Sequence, residues 1–251
     1  LDSLAATRPE AARRTFEIHR EAFARAELQA AFERVVGVVV QPGVDFDHSA
    51  VQHYDPAAAA ALSDFVEHQP RIVFEAHSTD YQTEAGLHAL VRDHFAILKV
   101  GPAATFAYRE ALFALAMIEN ELLPESDRSQ LIEVLERVML ANPKHWQGHY
   151  RGDPRELRLL RAYALSDRCR YYWGEPALQA AVTRLLDNLR LHQPPATLIS
   201  QYLPEQGAEV LASTLAVEPL ALVRHKIALR LAEYARACTC NQAGPRPPGK
   251  H

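Results

Sequence analysis

Three short apolar segments, separated by helical patterns, constrain the fold of this chain more than any other feature of its sequence. They cover residues 35–40, 71–76 and 95–100, and the first is a run of valines around one glycine. Continuous apolar runs of this length are typical of strands that are buried on both faces. Helical spacing of apolar residues is found at 11–31, at 56–67, over about ten residues from Thr83, and at 103–123. This alternation predicts parallel strands joined by crossover helices, in a β/α barrel or a doubly wound sheet.

Beyond residue 123 the chain is predicted to be mostly helical. Helical patterns cover about 128–140, 154–163, 176–191, 198–202 and 219–236. We therefore predict barrel strands and helices at 1–123, a mostly helical extension packed on the barrel at 124–238, and a flexible tail at 239–251.

Composition and charge exclude several classes of partner. The 251 residues carry 27 basic and 31 acidic side chains, a net charge of −4, without a long run of one sign. A nucleic-acid partner is therefore not expected, and the glycine signatures that bind nucleotide phosphates are absent. No segment reaches the roughly 18 consecutive apolar residues of a membrane span, and the N-terminus lacks a signal pattern. The sequence thus predicts a cytoplasmic protein without a membrane partner.

Polar side chains follow all three predicted strands at their C-terminal ends. Gln41 follows the first strand, Glu75 and His77 share one face of the second, and Lys99 ends the third. Catalytic groups of β/α barrels and ligand sites of open α/β sheets both cluster at this end of the strands. The strand ends are therefore the first candidate for a functional site.

The sequence leaves two interpretations of these strand-end residues open. Alternation along the third strand predicts that Phe95, Ile97 and Lys99 share one face. In the first interpretation, Glu75 and Lys99 are a neutralising ion pair and His77 is a hydrogen-bonded core histidine. In the second they form a site, because charged residues are seldom buried without a reason. His77 is then a candidate ligand of zinc or a similar divalent ion.

A second polar cluster lies at residues 166–173 and contains Ser166, Arg168 and Arg170. Arginines beside a hydroxyl group could hold a phosphate through paired hydrogen bonds. The same residues, lying among aromatic side chains, could instead form a surface ion pair and a contact between subunits of a homo-oligomer. Both interpretations stay open.

Longer stretches of the sequence resemble one known family. They cover residues 39–46, 74–83, 93–103, 109–115, 166–173 and 199–204. In these stretches the chain resembles the accessory, non-catalytic subunit of class II D-tagatose-1,6-bisphosphate aldolase. The resemblance extends to about Cys238, and long ordered motifs are more specific than a short catalytic signature.

The resemblance implies an α/β fold, a TIM (βα)₈ barrel of the class II aldolase type. Only its C-terminal part, about three strands, followed by additional C-terminal helices, is expected here, because family members are much longer at the N-terminus. An open sheet of three strands is expected to be unstable alone. The implied role is to support the activity and stability of a separate, zinc-dependent catalytic aldolase subunit in galactitol or N-acetylgalactosamine catabolism.

Some relatives look like metal-dependent ketohexose or ketohexose-6-phosphate 4-epimerases, which gives an alternative function. Epimerisation at C4 by retro-aldol cleavage needs a metal and an acid/base group. His77 would then bind a zinc or manganese ion, Glu75 would be a ligand or base, and Lys99 would neutralise the developing oxyanion. The accessory role is favoured, because the presumed partner ligands of His77 are missing and the metal site is expected to be incomplete. The residues predicted to bind a sugar phosphate are Gln41, Ser78, Asp80, Ser166, Arg168 and Arg170.

Overall fold

The computed structural model describes residues 5–69 and 71–239. Its strands are β1 (Gly37–Val40), β2 (Asp45–Phe46), β3 (Val51–Gln52), β4 (Val73–Ala76) and β5 (Ile97–Leu98). Its α-helices are α1 (Pro9–Arg25), α2 (Gln29–Phe32), α3 (Pro56–Glu67), α4 (Glu84–Arg92), α5 (Pro102–Leu122), α6 (Leu131–Ala141), α7 (Pro154–Tyr163), α8 (Pro176–Leu191), α9 (Ala196–Tyr202), α10 (Pro204–Leu211) and α11 (Pro219–Thr239). Short 3₁₀ helices span Glu125–Asp127, Pro143–His145 and Arg168–Tyr171.

Three of the strands form the parallel sheet that the apolar segments predict. Their order is β1-β4-β5, and both neighbouring pairs are parallel. Val39 lies opposite Glu75, and Glu75 lies opposite Ile97. α3 lies between β1 and β4 in the chain, and α4 lies between β4 and β5, so each parallel pair has a crossover helix. The predicted helix-rich α/β fold with a three-stranded parallel sheet is confirmed.

One face of the sheet is buried. Phe74 and Ala76 of β4 are 1% and 0% exposed, and they share a core with Leu62 of α3 and Leu87 of α4. Phe95 joins this core, with its ring centroid 6.0 Å from that of Phe74. Apolar burial of this kind is the main force that holds the sheet to its helices.

The prediction that Phe95, Ile97 and Lys99 share one face is wrong. Phe95 is fully buried, whereas Ile97 is 40% exposed. The strand begins only at Ile97, and His94, with φ of 70°, turns the chain immediately before Phe95. Strand alternation therefore does not extend back to Phe95.

Two other local predictions need correction. The helix predicted over residues 11–31 is divided into α1 and α2, because Glu27, with φ of 58°, turns the chain between them. The segment between β1 and α3, for which the sequence predicts no strand, contains an antiparallel hairpin of β2 and β3. The carboxylate of Asp47 fixes its turn by accepting hydrogen bonds of 2.7 Å from the backbone N–H groups of Ser49 and Ala50. These two bonds lower the pKa of Asp47.

The described residues form two compact units. The first contains the chain up to Gly101 and again from Ala232, and the second contains Pro102–Leu231. The first unit therefore holds all five strands, and the second is helical. α5 belongs to the second unit, whereas the sequence groups it with the strands in residues 1–123.

α5 contributes six buried hydrophobic residues to the core of the second unit. Leu112, Leu115 and Ile118 are at most 1% exposed, and they share a core with Leu135 of α6 and Leu185 of α8. Within the part of the chain that the structure describes, no helix is both long enough and apolar enough to cross a membrane.

Gly207 allows close contact between α9 and α10 in the second unit. A Cβ atom at this position would lie 2.4 Å from the Cα of Ser200 and 2.7 Å from its backbone nitrogen. Since the backbone of α9 would have to move, we expect Gly207→Ala to lower the free energy of unfolding by about 1–3 kcal/mol. Urea unfolding should show this loss. Gly148→Ala is the matched control, because nothing lies within 4 Å of its added Cβ, and equal effects of both changes would contradict the packing argument.

Candidate functional site

The carboxyl ends of the three parallel strands carry a polar pair on the open face of the sheet. β4 alternates between buried Phe74 and half-buried Glu75. The neighbours of Glu75 on this face are Val39 and Ile97, which are 52% and 40% exposed. Glu75 thus lies between two exposed apolar side chains, where a ligand would meet it directly.

Glu75 and His77 form a hydrogen-bonded pair. The Nε2 atom of His77 lies 2.9 Å from the Oε1 atom of Glu75, and their side chains are 36% and 29% exposed. When the imidazole is neutral and donates from Nε2, its Nδ1 keeps a free lone pair. A carboxylate that binds a histidine in this way fixes the tautomer and the orientation of its ring. The pair can therefore accept a proton from a bound hydroxyl group.

Lys99 is the third charged group at the strand ends, and it is exposed. Among residues 5–69 and 71–239 its ammonium group has no carboxylate within ion-pair distance, and Glu75 binds His77 instead. A neutralising pair of Glu75 and Lys99 is therefore not formed. The backbone places Lys99, since its N–H donates to the carbonyl of Ala76 at 3.0 Å and its carbonyl accepts from the hydroxyl of Thr79 at 2.8 Å.

The loop after β4 has a strained backbone. Ser78 and Tyr81 have φ values of 59° and 61°, a left-handed conformation that costs a non-glycine residue about 1–3 kcal/mol. Asp80 helps to hold it: this carboxylate is 2% exposed and accepts a 2.8 Å hydrogen bond from the N–H of Gly101. A backbone held in a strained form close to polar groups is frequent at binding sites.

The side chain of Gln41 also shapes a loop. Its Oε1 atom accepts hydrogen bonds from the N–H groups of Gly43 at 2.8 Å and Val44 at 3.0 Å. Gln41 and Asp80 thus fix the backbone at the ends of β1 and β4. Sugar binding by Gln41, Ser78 and Asp80 stays a prediction.

Two residues that the sequence did not single out anchor the loop after β4. The hydroxyl of Tyr234 on α11 donates to the carbonyl of Thr79 at 2.8 Å, and Arg236 forms a salt bridge of 2.8 Å with Glu84. No local pattern connects these pairs, since Tyr234 and Thr79 lie 155 residues apart. Their partnership depends on the fold.

The described residues supply too few ligands for a complete metal centre at His77. Within residues 5–69 and 71–239, no group of three or more His, Cys, Asp or Glu side chains is placed to hold a metal ion. A catalytic zinc ion needs three protein ligands, and the strand ends bring together only His77 and Glu75. The predicted zinc or manganese cofactor does not fit these two residues alone, and we derive no chemical step from it.

The cluster at residues 166–173 belongs to the second unit and is organised around Asp167. Asp167 is 1% exposed and forms a salt bridge of 3.2 Å with Arg109, which is 3% exposed. Its carboxylate also accepts hydrogen bonds from Thr105 at 2.6 Å and Cys169 at 3.1 Å. Burial, with the nearby charge of Asp167, raises the pKa of the Cys169 thiol well above its usual value. Asp167 was not among the predicted site residues, because its partner lies far away in the chain.

The two predicted phosphate-binding arginines bind the protein itself. Arg168 donates from Nη1 to the carbonyl of His145 at 2.8 Å. Arg170 donates from Nη1 to the carbonyl of Asp167 at 3.0 Å, and its guanidinium lies 4.4 Å from the ring centroid of Tyr171. These contacts hold residues 166–173 in place. Phosphate binding by both arginines stays a prediction.

Ser166 is the third predicted residue of this cluster. Its hydroxyl lies 3.3 Å from that of Tyr150. The cluster lies in the second unit and the strand-end residues lie in the first, so the predicted residues fall into two groups. A role of Ser166 in substrate binding stays a prediction.

Together these features describe an α/β protein in which the Glu75–His77 pair and the exposed Lys99 lie at the carboxyl ends of a parallel sheet. Residues 1–239 match the model of a family described as D-tagatose-1,6-bisphosphate aldolase subunit GatZ/KbaZ-like. The chain belongs to this family, and the predicted family is confirmed.

A solved structure is also similar to this chain. It is the crystal structure of a protein described as a probable tagatose 6 phosphate kinase from Sinorhizobium meliloti 1021, with 47% sequence identity and a TM-score of 0.88. The match covers 94% of this chain and 61% of that protein. This chain therefore spans about three fifths of the length of its solved relative. The descriptions of the family and of the relative name different activities, but both name a phosphorylated tagatose.

Proposed function

We propose that this chain acts as an accessory subunit of a class II tagatose-1,6-bisphosphate aldolase, in galactitol or N-acetylgalactosamine catabolism. In this role it supports the activity and stability of a separate catalytic subunit in the cytoplasm. The match to an aldolase-subunit family over residues 1–239 carries the proposal. The strand-end site supports it, because a free lysine beside an acid–base pair suits a phosphorylated sugar.

We also propose that the sheet is part of a (βα)₈ barrel. Three features support this fold: consecutive parallel strands, the helices α3 and α4 packed against the buried face of the sheet, and polar groups at the carboxyl ends. In a barrel, the face with Val39, Glu75 and Ile97 would face the interior. Substrate would then enter at the end that carries His77 and Lys99.

The strand-end residues bind different parts of a phosphorylated ketohexose. The ammonium group of Lys99 attracts the negative charge of the phosphate or of an oxyanion. Glu75 orients His77, whose free ring nitrogen exchanges a proton with a sugar hydroxyl. Gln41, Ser78 and Asp80 shape the loops around the sugar.

The hydrogen bond between Glu75 and His77, 2.9 Å long, favours a second candidate function. A ketohexose-phosphate 4-epimerase that uses retro-aldol chemistry needs a base at the C4 hydroxyl. His77 would take this proton as the C3–C4 bond breaks into an aldehyde and an enediolate, whose negative charge Lys99 would balance. It would return the proton after the enediolate attacks the opposite face of the aldehyde and the C3–C4 bond forms again. Both functions use the same residues but differ in whether a partner subunit is needed.

An assay with and without a partner tests the two functions. The purified chain is mixed with a purified catalytic class II aldolase subunit, and release of dihydroxyacetone phosphate from tagatose 1,6-bisphosphate is followed. We expect a higher cleavage rate and a longer half-life of the partner than with the same amount of serum albumin. Interconversion of tagatose 6-phosphate and fructose 6-phosphate by the chain alone would instead establish the epimerase. No effect on the partner, with no complex on gel filtration, would refute the accessory role.

Lys99→Met tests the strand-end site directly. Loss of a charged hydrogen bond to the sugar phosphate should weaken its binding about tenfold or more. Folding should be unaffected, because Lys99 is exposed and has no ion-pair partner among the described residues. Titration calorimetry with tagatose 6-phosphate measures the affinity.

Lys144→Met is the matched control, since Lys144 is also exposed and lies in the second unit. It should bind the sugar phosphate as tightly as the unchanged chain. A marked loss of thermal stability in Lys99→Met would favour a structural role of this lysine.

A further inference from the structure

Residues of four helices line an open cavity of about 370 Å³ in the second unit. Its wall contains Phe106 and Arg109 of α5, Tyr163 of α7, Tyr202 of α9 and Lys226 of α11. Small-molecule sites often have this size and this mixture of aromatic walls and a few polar groups. A ligand in such a cavity gains most from a hydrogen-bond donor that lacks an acceptor in the protein.

Arg109 supplies such a donor. Its side chain is 3% exposed, and its Nε atom donates to Asp167 at 3.2 Å. Its Nη2 atom is buried and has no hydrogen-bond partner among the described residues. A buried donor of a charged group that stays unpaired carries a desolvation penalty. The chain thus keeps a fixed cation with hydrogen-bonding capacity that its own residues do not use.

The guanidinium of Arg109 lies at the wall of the cavity. It is 4.1 Å from the ring centroid of Phe106, 5.5 Å from that of Phe113 and 5.8 Å from that of Tyr163. All three rings also line the cavity. Aromatic faces attract a cation but do not replace a hydrogen-bond acceptor. An acceptor from a ligand in the cavity would complete the surroundings of Arg109.

Lys226 is a second cation on this wall. Its ammonium group lies 2.9 Å from Glu205 and 4.0 Å from Glu110, and both carboxylates are at least 42% exposed. Exposed ion pairs contribute little to stability, so Lys226 can turn to a ligand at small cost. Glu110 is the carboxylate that lines the cavity beside these two cations. The carboxylate of Asp167 pairs with Arg109 and also accepts hydrogen bonds from Thr105 and Cys169.

We propose that this cavity binds an oxyanion carried on a small organic molecule, either a phosphate monoester or a carboxylate. The Nη atoms of Arg109 donate to the oxyanion, as a planar guanidinium does best. Lys226 adds a second positive charge, and Phe106, Tyr163 and Tyr202 pack against the organic part. The site lies in the second unit and does not depend on the proposed accessory function.

Titration calorimetry with fructose 6-phosphate, citrate and inorganic phosphate tests this site. We expect saturable binding of fructose 6-phosphate or citrate, about tenfold weaker in Lys226→Gln. Weakening of fructose 6-phosphate binding alone identifies a phosphate monoester, and weakening of citrate binding alone identifies a carboxylate. Binding of inorganic phosphate alone would overturn the proposal of an organic ligand, as would the absence of saturable binding.

Two controls locate the binding. Lys144→Gln, outside the cavity, should leave every affinity unchanged. The effect of Lys226→Gln is also measured in Lys99→Met, which changes only the strand-end site of the first unit, and it should be the same there as in the unchanged chain. Binding that is lost in Lys99→Met and kept in Lys226→Gln would assign the ligand to the strand ends and overturn the proposal.

Arg109→Lys gives an independent test. This change keeps a positive charge beside Asp167 but removes the planar edge of hydrogen-bond donors. We expect the affinity for fructose 6-phosphate or citrate to fall more than tenfold. A circular dichroism spectrum like that of the unchanged chain shows that the variant is folded. Unchanged affinity in that variant would exclude Arg109 as the donor. If Arg109→Lys does not fold, the result with Lys226→Gln decides.

Discussion

Replacing Asp167 with asparagine is expected to lower the free energy of unfolding of the second unit by about 3–5 kcal/mol. The reason is that Arg109, with 3% of its side chain exposed, would stay buried without its opposing charge. Removal of one partner of a buried ion pair costs far more than the pair itself contributes. Asparagine is chosen because Asp167 has φ of 43°, a conformation that asparagine tolerates better than alanine.

Urea unfolding followed by tryptophan fluorescence measures this loss. The chain has two tryptophans, Trp146 and Trp173, and both lie in the second unit, so their signal reports on that unit. Asp187→Asn is the matched control, because Asp187 is 63% exposed and pairs with Arg190 at the surface. It should cost less than about 1 kcal/mol. Equal stability of Asp167→Asn and the unchanged chain would show that Arg109 finds another counter-charge.

Replacing Glu119 with alanine is expected to cost a similar amount, about 3–5 kcal/mol. Glu119 is 1% exposed. Its carboxylate accepts hydrogen bonds from the N–H of Ser129 at 3.0 Å, the hydroxyl of Ser129 at 2.6 Å and the amide of Asn188 at 2.6 Å. Alanine would leave the two donors of Ser129 buried and unpaired, at about 1–3 kcal/mol each.

Glu121→Ala is the matched control for Glu119 on the same helix. Glu121 is exposed, and its carboxylate accepts one hydrogen bond of 3.2 Å from Tyr202 at the surface. Its loss should change the free energy of unfolding by less than about 0.5 kcal/mol. A small effect of Glu119→Ala in the same urea titration would mean that water enters and satisfies Ser129.

Helix bounds could be predicted where the sequence carries local signals. α3 and α7 span the predicted residues, 56–67 and 154–163. Each begins with a proline after an aspartate that caps the helix: Asp55 accepts from the N–H of Ala57, and Asp153 forms a capping box with Glu156. Because the capping residue and the proline are neighbours in the chain, they indicate the start of a helix without knowledge of the fold.

Elements without a local signal were missed. The strands β2 and β3 have two residues each, too few for any periodicity to appear. α10 follows α9 after only Leu203, so no turn sequence separates the two helices. Such elements depend on packing with distant parts of the chain. The local spacing of apolar residues carries no information about that packing.

The candidate site shows the same limit. Strand alternation placed Glu75 and His77 on one face, and the structure brings them into contact at 2.9 Å. The partnership of Arg109 and Asp167, 58 residues apart, had no local signal, and neither did the unpaired Nη2 atom of Arg109. Contacts between neighbours on one strand follow from geometry, whereas charge pairs between elements depend on the complete fold.

The anchoring of the loop after β4 by α11 has a consequence for synthesis on the ribosome. The hydrogen bond between Thr79 and Tyr234 joins residues 155 positions apart, and translation proceeds at about 5–20 residues per second. About eight to thirty seconds therefore pass between synthesis of the loop and of its anchor. During this interval the first unit lacks the last turns of α11, which carry Tyr234. We therefore expect a chaperone that binds nascent chains to contact the strand ends before a sugar can bind there.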